Sequence, residues 1–147
     1  MHKIKSDDQR AKTMKHIEGF EKDAQRFERE RGKKAAASYR RIYQDQVAEL
    51  REQVERYDVL KKAGPGPFHG DLGSLGPYLV DARVAAGLTQ KDLAKKLGVS
   101  QPMVFKYELS EYRSCTVEVI EKVIAALGLD LDVEIKRARP KLARAGA

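Results

Sequence analysis

Helix and turn signals are densest in residues 82–108, which read Ala-Arg-Val-Ala-Ala-Gly-Leu-Thr-Gln-Lys-Asp-Leu-Ala-Lys-Lys-Leu-Gly-Val-Ser-Gln-Pro-Met-Val-Phe-Lys-Tyr-Glu. Thr89 is a favourable N-cap, and Gly98 a favourable stop, for one short helix. Ser100 is placed to cap the next helix, whose early proline lacks an N–H that would be unpaired there anyway. Ala94 is small enough to let the two helices approach closely at the bend. These residues predict two short helices joined by a tight turn.

A longer helix is predicted on each side of this pair. The first begins at a Ser74 cap and ends at Gly87. Its apolar stripe consists of Leu75, Leu79, Ala82 and Ala86. The second runs from Thr116 to Leu127 and ends at Gly128. Its inward-facing residues are expected to be Val119, Ile120, Val123, Ile124 and Leu127.

The phrase from Ala82 to Glu108 resembles, along its whole length, the helix-turn-helix superfamily of phage repressors and Cro, often called the xenobiotic-response-element family. The resemblance covers residues 74 to about 128 and is specific, because glycine, alanine, threonine, glutamine and serine all fall at the family's spacings. It implies a lambda-repressor-like domain that binds double-stranded DNA, with the helix after Ser100 in the major groove.

The resemblance also implies a set of DNA-binding side chains, located where the two short helices begin and along the outer face of the second: Gln90, Ser100, Gln101, Met103, Phe105 and Lys106. Gln101 is implied to read a base edge, because a carboxamide can both donate to and accept from adenine. The amide of Gln90 and the hydroxyl of Ser100 are implied to contact backbone phosphates. Met103 and Phe105 would pack on thymine methyls or sugars. An alternative for Phe105 is contact with the N-terminal region or a second subunit.

Three further residues complete what the resemblance implies. Lys106 would reach guanine or phosphate. Arg83 and Glu108 occupy positions that form an ion pair in the family, so their implied role is to support the domain rather than to contact DNA.

Residues 1–63 are predicted to form two long amphipathic helices separated by a turn at Gly32. The apolar stripe of the first consists of Met14, Ile17, Phe20, Ala24 and Phe27. The stripe of the second, which is spaced like a coiled-coil seam, consists of Tyr39, Tyr43, Val47, Leu50, Val54 and Tyr57. Neither stripe can be buried by its own helix. The two are therefore expected to close on each other as an antiparallel hairpin, on a second copy, or on a partner protein.

Residues 64–73 are rich in glycine and proline and predict a linker before the domain at 74–135. At the end of that domain, four apolar residues alternate with acidic ones: Leu129, Leu131, Val133 and Ile135. This period of two predicts a β-strand that pairs with the same strand of a second copy and so forms a homodimer. A terminal strand in this place resembles antitoxins of the HipB and HigA kind. Residues 136–147 are basic and aperiodic, and they predict a mobile tail.

Charge and composition narrow the class of protein. The chain of 147 residues has 29 basic and 22 acidic side chains, a net charge of +7 that favours an anionic partner. The excess lies at the two ends, because residues 74–135 carry seven basic and nine acidic side chains. One cysteine and three histidines predict neither a disulfide nor a zinc site. No stretch approaches the roughly 18 apolar residues of a membrane span, and the charged N-terminus is unlike a signal peptide, so a cytosolic location is expected.

The sequence therefore predicts a mainly α protein with an N-terminal helical hairpin or coiled coil, a linker, and a helix-turn-helix domain with a C-terminal β-strand. The expected function is that of a dimeric, sequence-specific repressor bound to a near-palindromic operator, and more narrowly of an antitoxin that represses its own operon and binds a toxin. The alternatives are a phage-type or general repressor without a toxin, and a helical interaction protein with an accessory DNA-binding module. Neither catalysis nor a cofactor is expected, since no nucleophile, base or phosphate-cradling loop converges.

Overall fold

The computed structural model of the chain describes residues 3–137. In this part of the chain all regular secondary structure is helical. The six helices are α1 (Asp7–Arg31), α2 (Lys33–Ala63), α3 (Leu72–Ala85), α4 (Gln90–Leu97), α5 (Gln101–Leu109) and α6 (Val117–Ala126).

Helices α1 and α2 pair with each other as an antiparallel hairpin. The chain reverses at Gly32, whose φ of 85° lies in the region that favours glycine. Aromatic rings from the two stripes meet along the seam, with ring centroids 5.1 Å apart for Phe20 and Tyr43 and for Phe27 and Tyr39. Of the three ways of burying the stripes that the sequence left open, the chain adopts pairing within one molecule.

Helices α3 to α6 form the second unit around a shared apolar core. The buried residues of its main cluster are Leu75, Leu79, Val80, Tyr112, Val123 and Ile124, and Leu93, Ala94 and Val104 form a second cluster beneath α4 and α5. The inward face predicted for α6 packs on this core as expected. Thr89 and Asp92 form a reciprocal capping box at the start of α4, and Gly98 ends that helix with a φ of 68°.

Of the predicted helix caps, the one at Ser74 is wrong and the one at Ser100 is confirmed in position only. Helix α3 begins at Leu72, earlier than predicted, because the Asp71 carboxylate accepts a hydrogen bond from the Ser74 N–H at 2.9 Å. Ser74 therefore lies in the first turn of the helix. Ser100 does occupy the N-cap position of α5, but its side chain makes no capping hydrogen bond.

The β-strand predicted over residues 129–135 is not found in the structure. The segment after Leu129 has no regular structure, and Leu131, Val133 and Ile135 are 47%, 61% and 91% exposed. A strand requires a second strand to pair its backbone N–H and C=O groups. No other described segment of this one chain offers such a partner. Most of the predicted tail, residues 138–147, lies outside the described residues.

The hairpin is joined to the second unit by polar contacts and by the segment between α2 and α3. Asp81 on α3 forms ion pairs with Arg56 of α2 at 3.3 Å and with Lys3 at 3.6 Å. The hydroxyl of Tyr78 donates to the Gly66 carbonyl oxygen at 2.9 Å, and its ring packs on Phe68. The segment that precedes α3 is thus held against that helix.

Candidate nucleic-acid interface

Helix α5 is anchored on one side and exposed on the other. Val104 and Glu108 are buried beneath it. The outer face is made of side chains that are polar at its start and apolar further along, and all of them are exposed: Gln101, Pro102, Met103, Phe105 and Lys106. Met103 is 42% and Phe105 is 53% exposed, so one short helix leaves two large apolar side chains in solvent. The structure therefore leaves four of the six predicted DNA-binding residues exposed along α5.

A buried ion pair holds α5 at its angle to α3. Arg83 is 2% exposed and Glu108 is 1% exposed. The guanidinium donates from Nε and from Nη2 to the two carboxylate oxygens, with Nη2 3.1 Å from Oε2. Its Nη1 donates to the Leu88 carbonyl oxygen at 2.6 Å, so the turn before α4 is held by the same group. Removing one partner from such a pair leaves an uncompensated buried charge, at a typical loss of about 3–5 kcal/mol.

Phosphate contacts are predicted for Gln90 and Ser100, and the surroundings of these two side chains differ from each other in the structure. The Gln90 amide is half-buried and donates from Nε2 to Glu108 Oε2 at 2.8 Å, so one of its two N–H groups belongs to the support of α5. Its other N–H remains available as a donor. Ser100 is exposed and its hydroxyl makes no capping bond, which leaves it able to contact a ligand. The phosphate roles of both residues stay predictions.

The start of α4 carries a carboxylate as well as backbone donors. The hydroxyl and N–H of Thr89 both donate to Asp92, and these hydrogen bonds hold the pKa of the Asp92 carboxyl below its ordinary value. Asp92 is therefore ionised at neutral pH. Its negative charge favours the N-terminus of α4 but opposes a phosphate placed next to it.

A cavity of about 660 Å³ lies beside the exposed face of α5. One wall is formed by the beginnings of α4 and α5, including Gln90, Gln101 and Phe105. The opposite wall is formed by the segment that precedes α1 and by the first turn of α1, including Lys5 and Asp8. Phe105 and the N-terminal region line the same cavity, but Phe105 is 53% exposed, so packing of its ring on that region stays a prediction.

One structurally important glycine was missed by the sequence interpretation. A Cβ on Gly76 would lie 1.8 Å from the carbonyl oxygen of Glu111, in the loop after α5. That loop turns through two residues with positive φ, Glu111 at 51° and Tyr112 at 58°. The Tyr112 phenol is buried, which raises its pKa, and no described residue hydrogen-bonds its hydroxyl. The only signal in the sequence was a glycine inside a predicted helix.

The described residues offer nothing that resembles a metal or membrane site. Between Lys3 and Arg137, no group of three histidine, cysteine or acidic side chains is arranged to hold a metal ion. None of the helices in that range combines the length and hydropathy needed to cross a membrane.

Comparison with known protein families finds a match in the second unit. A helix-turn-helix family model matches residues 79–133, which include the second half of α3 and all of α4, α5 and α6. The match supports a DNA-binding regulator and agrees with the class to which the sequence was found similar. No curated protein matches the chain, and no solved structure matches it.

Proposed function

We propose that this protein is a sequence-specific transcriptional repressor that occupies a near-palindromic operator as a homodimer. The observation that carries the proposal is the exposed face of α5, with Gln101, Met103, Phe105 and Lys106 projecting from a helix fixed by the buried pair of Arg83 and Glu108. A rigid helix with an exposed amide and apolar side chains fits the major groove, where base edges and thymine methyls are displayed.

The proposed division of labour follows from the chemistry of each side chain. The Gln101 carboxamide reads adenine, and Met103 and Phe105 lie on thymine methyls or sugars. Lys106, together with Ser100 and Gln90, contacts guanine or the backbone and sets the register of the protein on the duplex. Because residues 74–135 have more acidic than basic side chains, part of the attraction to phosphate is expected to come from the basic ends of the chain.

The test is selection of bound duplexes from a random pool by the full-length protein, followed by binding of the selected duplex over a salt series. A conserved, near-palindromic sequence is expected. The Gln101→Ala variant should lose about 1–3 kcal/mol of discrimination at one position in each half-site while its oligomeric state is unchanged. Steep salt dependence with no selected sequence, or full selectivity in Gln101→Ala, would contradict readout by α5.

The narrower proposal is that the protein is an antitoxin whose N-terminal hairpin binds a toxin. The hairpin supports it with two adjoining apolar grooves of about 470 and 560 Å³, whose floors include Tyr43 and Val47 in one and Met14 and Val54 in the other. Such grooves suit a helix of a partner protein.

Co-expression with the product of the neighbouring gene tests this. Stable co-purification that is lost in Val47→Glu supports the antitoxin. If no product of a neighbouring gene co-purifies and the protein still selects an operator, the protein is a repressor without a toxin.

A further inference from the structure

The N-terminal segment lies across from the residues proposed to read DNA. Residues 3–9 and the starts of α4 and α5 face each other over the cavity of about 660 Å³. Lys5 and Asp8 are on the first wall, and Gln90, Gln101 and Phe105 are on the second. A ligand that fills this cavity therefore touches both walls.

Two contacts hold the segment against α3, through Arg83 and Asp81, and a third lies within the segment itself. Arg83 Nη2 donates to the Lys5 carbonyl oxygen at 3.4 Å, and the Lys5 N–H donates to Gln9 Oε1 at 2.7 Å. Lys3 is paired with Asp81 at 3.6 Å. The guanidinium that holds α5 thus also holds the segment, so both walls of the cavity are built on one support.

The general geometry of helix-turn-helix binding indicates what enters the cavity. The first residues of the reading helix contact base edges, while the helix before it crosses the sugar-phosphate backbone. In this chain those two places are the beginnings of α5 and α4, and both line the cavity. If Gln101 lies in the major groove, this geometry puts the adjoining strand next to the beginning of α4, at the cavity that the N-terminal segment also lines.

The charges on the cavity wall show which residues such a strand would meet. Most of the ionic side chains there are paired with each other or with neighbours, in the pairs Lys61 with Asp7, Lys3 with Asp81, Arg113 with Glu111 and Arg83 with Glu108. Lys5 and Asp8 belong to no ion pair of the described residues. A phosphate in the cavity is attracted by Lys5 and repelled by Asp8, and each effect is separately measurable.

We propose that the N-terminal segment is part of the DNA-binding surface and that Lys5 contacts a phosphate of the strand passing through the cavity. The inference rests on the proposed function and adds a second structural unit to the interface. Since a phosphate contact carries no base information, it strengthens binding to every sequence equally.

The experiment compares the full-length protein with the variants Lys5→Ala and Asp8→Asn on the selected duplex and on an unrelated one. Lys5→Ala should weaken binding to both duplexes by about 3- to 10-fold and reduce the slope of log K against log salt by about 1. Asp8→Asn should strengthen binding to both by about 2- to 5-fold, because it removes a repulsion near the phosphate. Thermal unfolding by circular dichroism checks that both variants are folded.

Matched controls carry the same charge changes about 20 Å or more along α1, at the exposed residues Lys22 and Glu30. Lys22→Ala and Glu30→Gln lie beyond the screening length and should change affinity by less than about twofold. If Lys5→Ala behaves like Lys22→Ala, or if it raises affinity, the inference is overturned while selection of an operator and its loss in Gln101→Ala still stand. If the parent protein selects no sequence at all, the proposed function itself fails.

Discussion

Gly76 is the residue at which the helix-turn-helix unit tolerates no side chain. It lies on α3, where that helix passes the loop after α5, and an added Cβ would overlap the Glu111 carbonyl oxygen at 1.8 Å. The contact is with backbone, which cannot rotate away as a flexible side chain would. The two positive-φ residues of the loop, Glu111 and Tyr112, leave it little room to move.

The variant Gly76→Ala is expected to be destabilised by about 2–3 kcal/mol, because forced overpacking outweighs the gain in helix propensity. The measurement is urea unfolding followed by circular dichroism. The control is Gly19→Ala in α1, where an added Cβ meets nothing within 4 Å. That variant should be stabilised by about 0.5–1 kcal/mol. Equal effects of the two substitutions would show that the loop yields to the methyl group.

At the scale of residues, the sequence predicted correctly those features that depend on a local pattern or on the resemblance to a known family. The pairing of Arg83 with Glu108 and the cap at Thr89 were both expected and both are present. The role of Gly76 depends on a backbone atom 35 residues away. The residue type at Glu111 gives no indication that its carbonyl oxygen lies close to Gly76. The additional bond from Gln90 to Glu108 was missed for the same reason, since it arises from the packing of α4 against α5.

At the scale of elements, the sequence predicted the boundaries of the two long helices but not what covers their apolar stripes. Glycine at position 32 and the regular stripes predicted both helices and the turn between them. They did not decide among an intramolecular hairpin, a second copy and a partner protein, because each would cover the same apolar atoms. What favours pairing within the chain is a set of specific cross-helix bonds, such as those from Arg10 to Asp58 and from Tyr57 to Asp7.

The Tyr57 hydroxyl fastens the open end of this hairpin. It donates to Asp7 Oδ1 at 2.8 Å. Burial, as the main cause, and this hydrogen bond, as the second, raise the pKa of Tyr57 from 10.0 to about 12. The folded state therefore keeps the proton more tightly than the unfolded state does. The resulting stability is present below pH 10 and is lost as the pH rises toward 12.

The variant Tyr57→Phe should be less stable than the parent by about 1 kcal/mol at neutral pH, through loss of the bond to Asp7. Between pH 10 and 12 the parent should lose about 1–3 kcal/mol relative to the variant, because only the parent has this phenol to ionise, so its advantage disappears and the variant becomes the more stable protein. Urea unfolding at a series of pH values measures both effects. Tyr43→Phe, which leaves the Tyr57 bond intact, serves as the control. A difference that stays constant with pH would show that Tyr57 ionises in the folded state as readily as in the unfolded one.

At the scale of the whole molecule, the pairing of α1 with α2 leaves the C-terminal segment as the place where a dimer is proposed to form. The hairpin covers much of its apolar stripes within one chain, so the long helices are not left as a two-chain seam. The segment from Leu129 onward is different, because its residues after Leu129 make no backbone hydrogen bond to any other described residue. Leu129 packs against the core of the second unit, but the alternating pattern could not reveal from sequence that a single chain leaves Leu131, Val133 and Ile135 exposed. Pairing with a second copy would cover them and satisfy the backbone groups together.

The last prediction tests that dimer by placing one charge on each face of the segment. If it pairs as a strand, Val133 shares a face with Leu131 and Ile135, while Glu134 points to the opposite face. Val133→Lys should shift the protein to monomer in sedimentation equilibrium and weaken binding to a palindromic duplex by at least about a hundredfold, since two linked reading helices act with high effective concentration. The protected region should shrink from two half-sites, spaced by about 34 Å, to one. Glu134→Lys introduces the same side chain on the other face and should leave the dimer intact. If the Val133→Lys protein remains dimeric and protects both half-sites, the dimer interface lies on another surface.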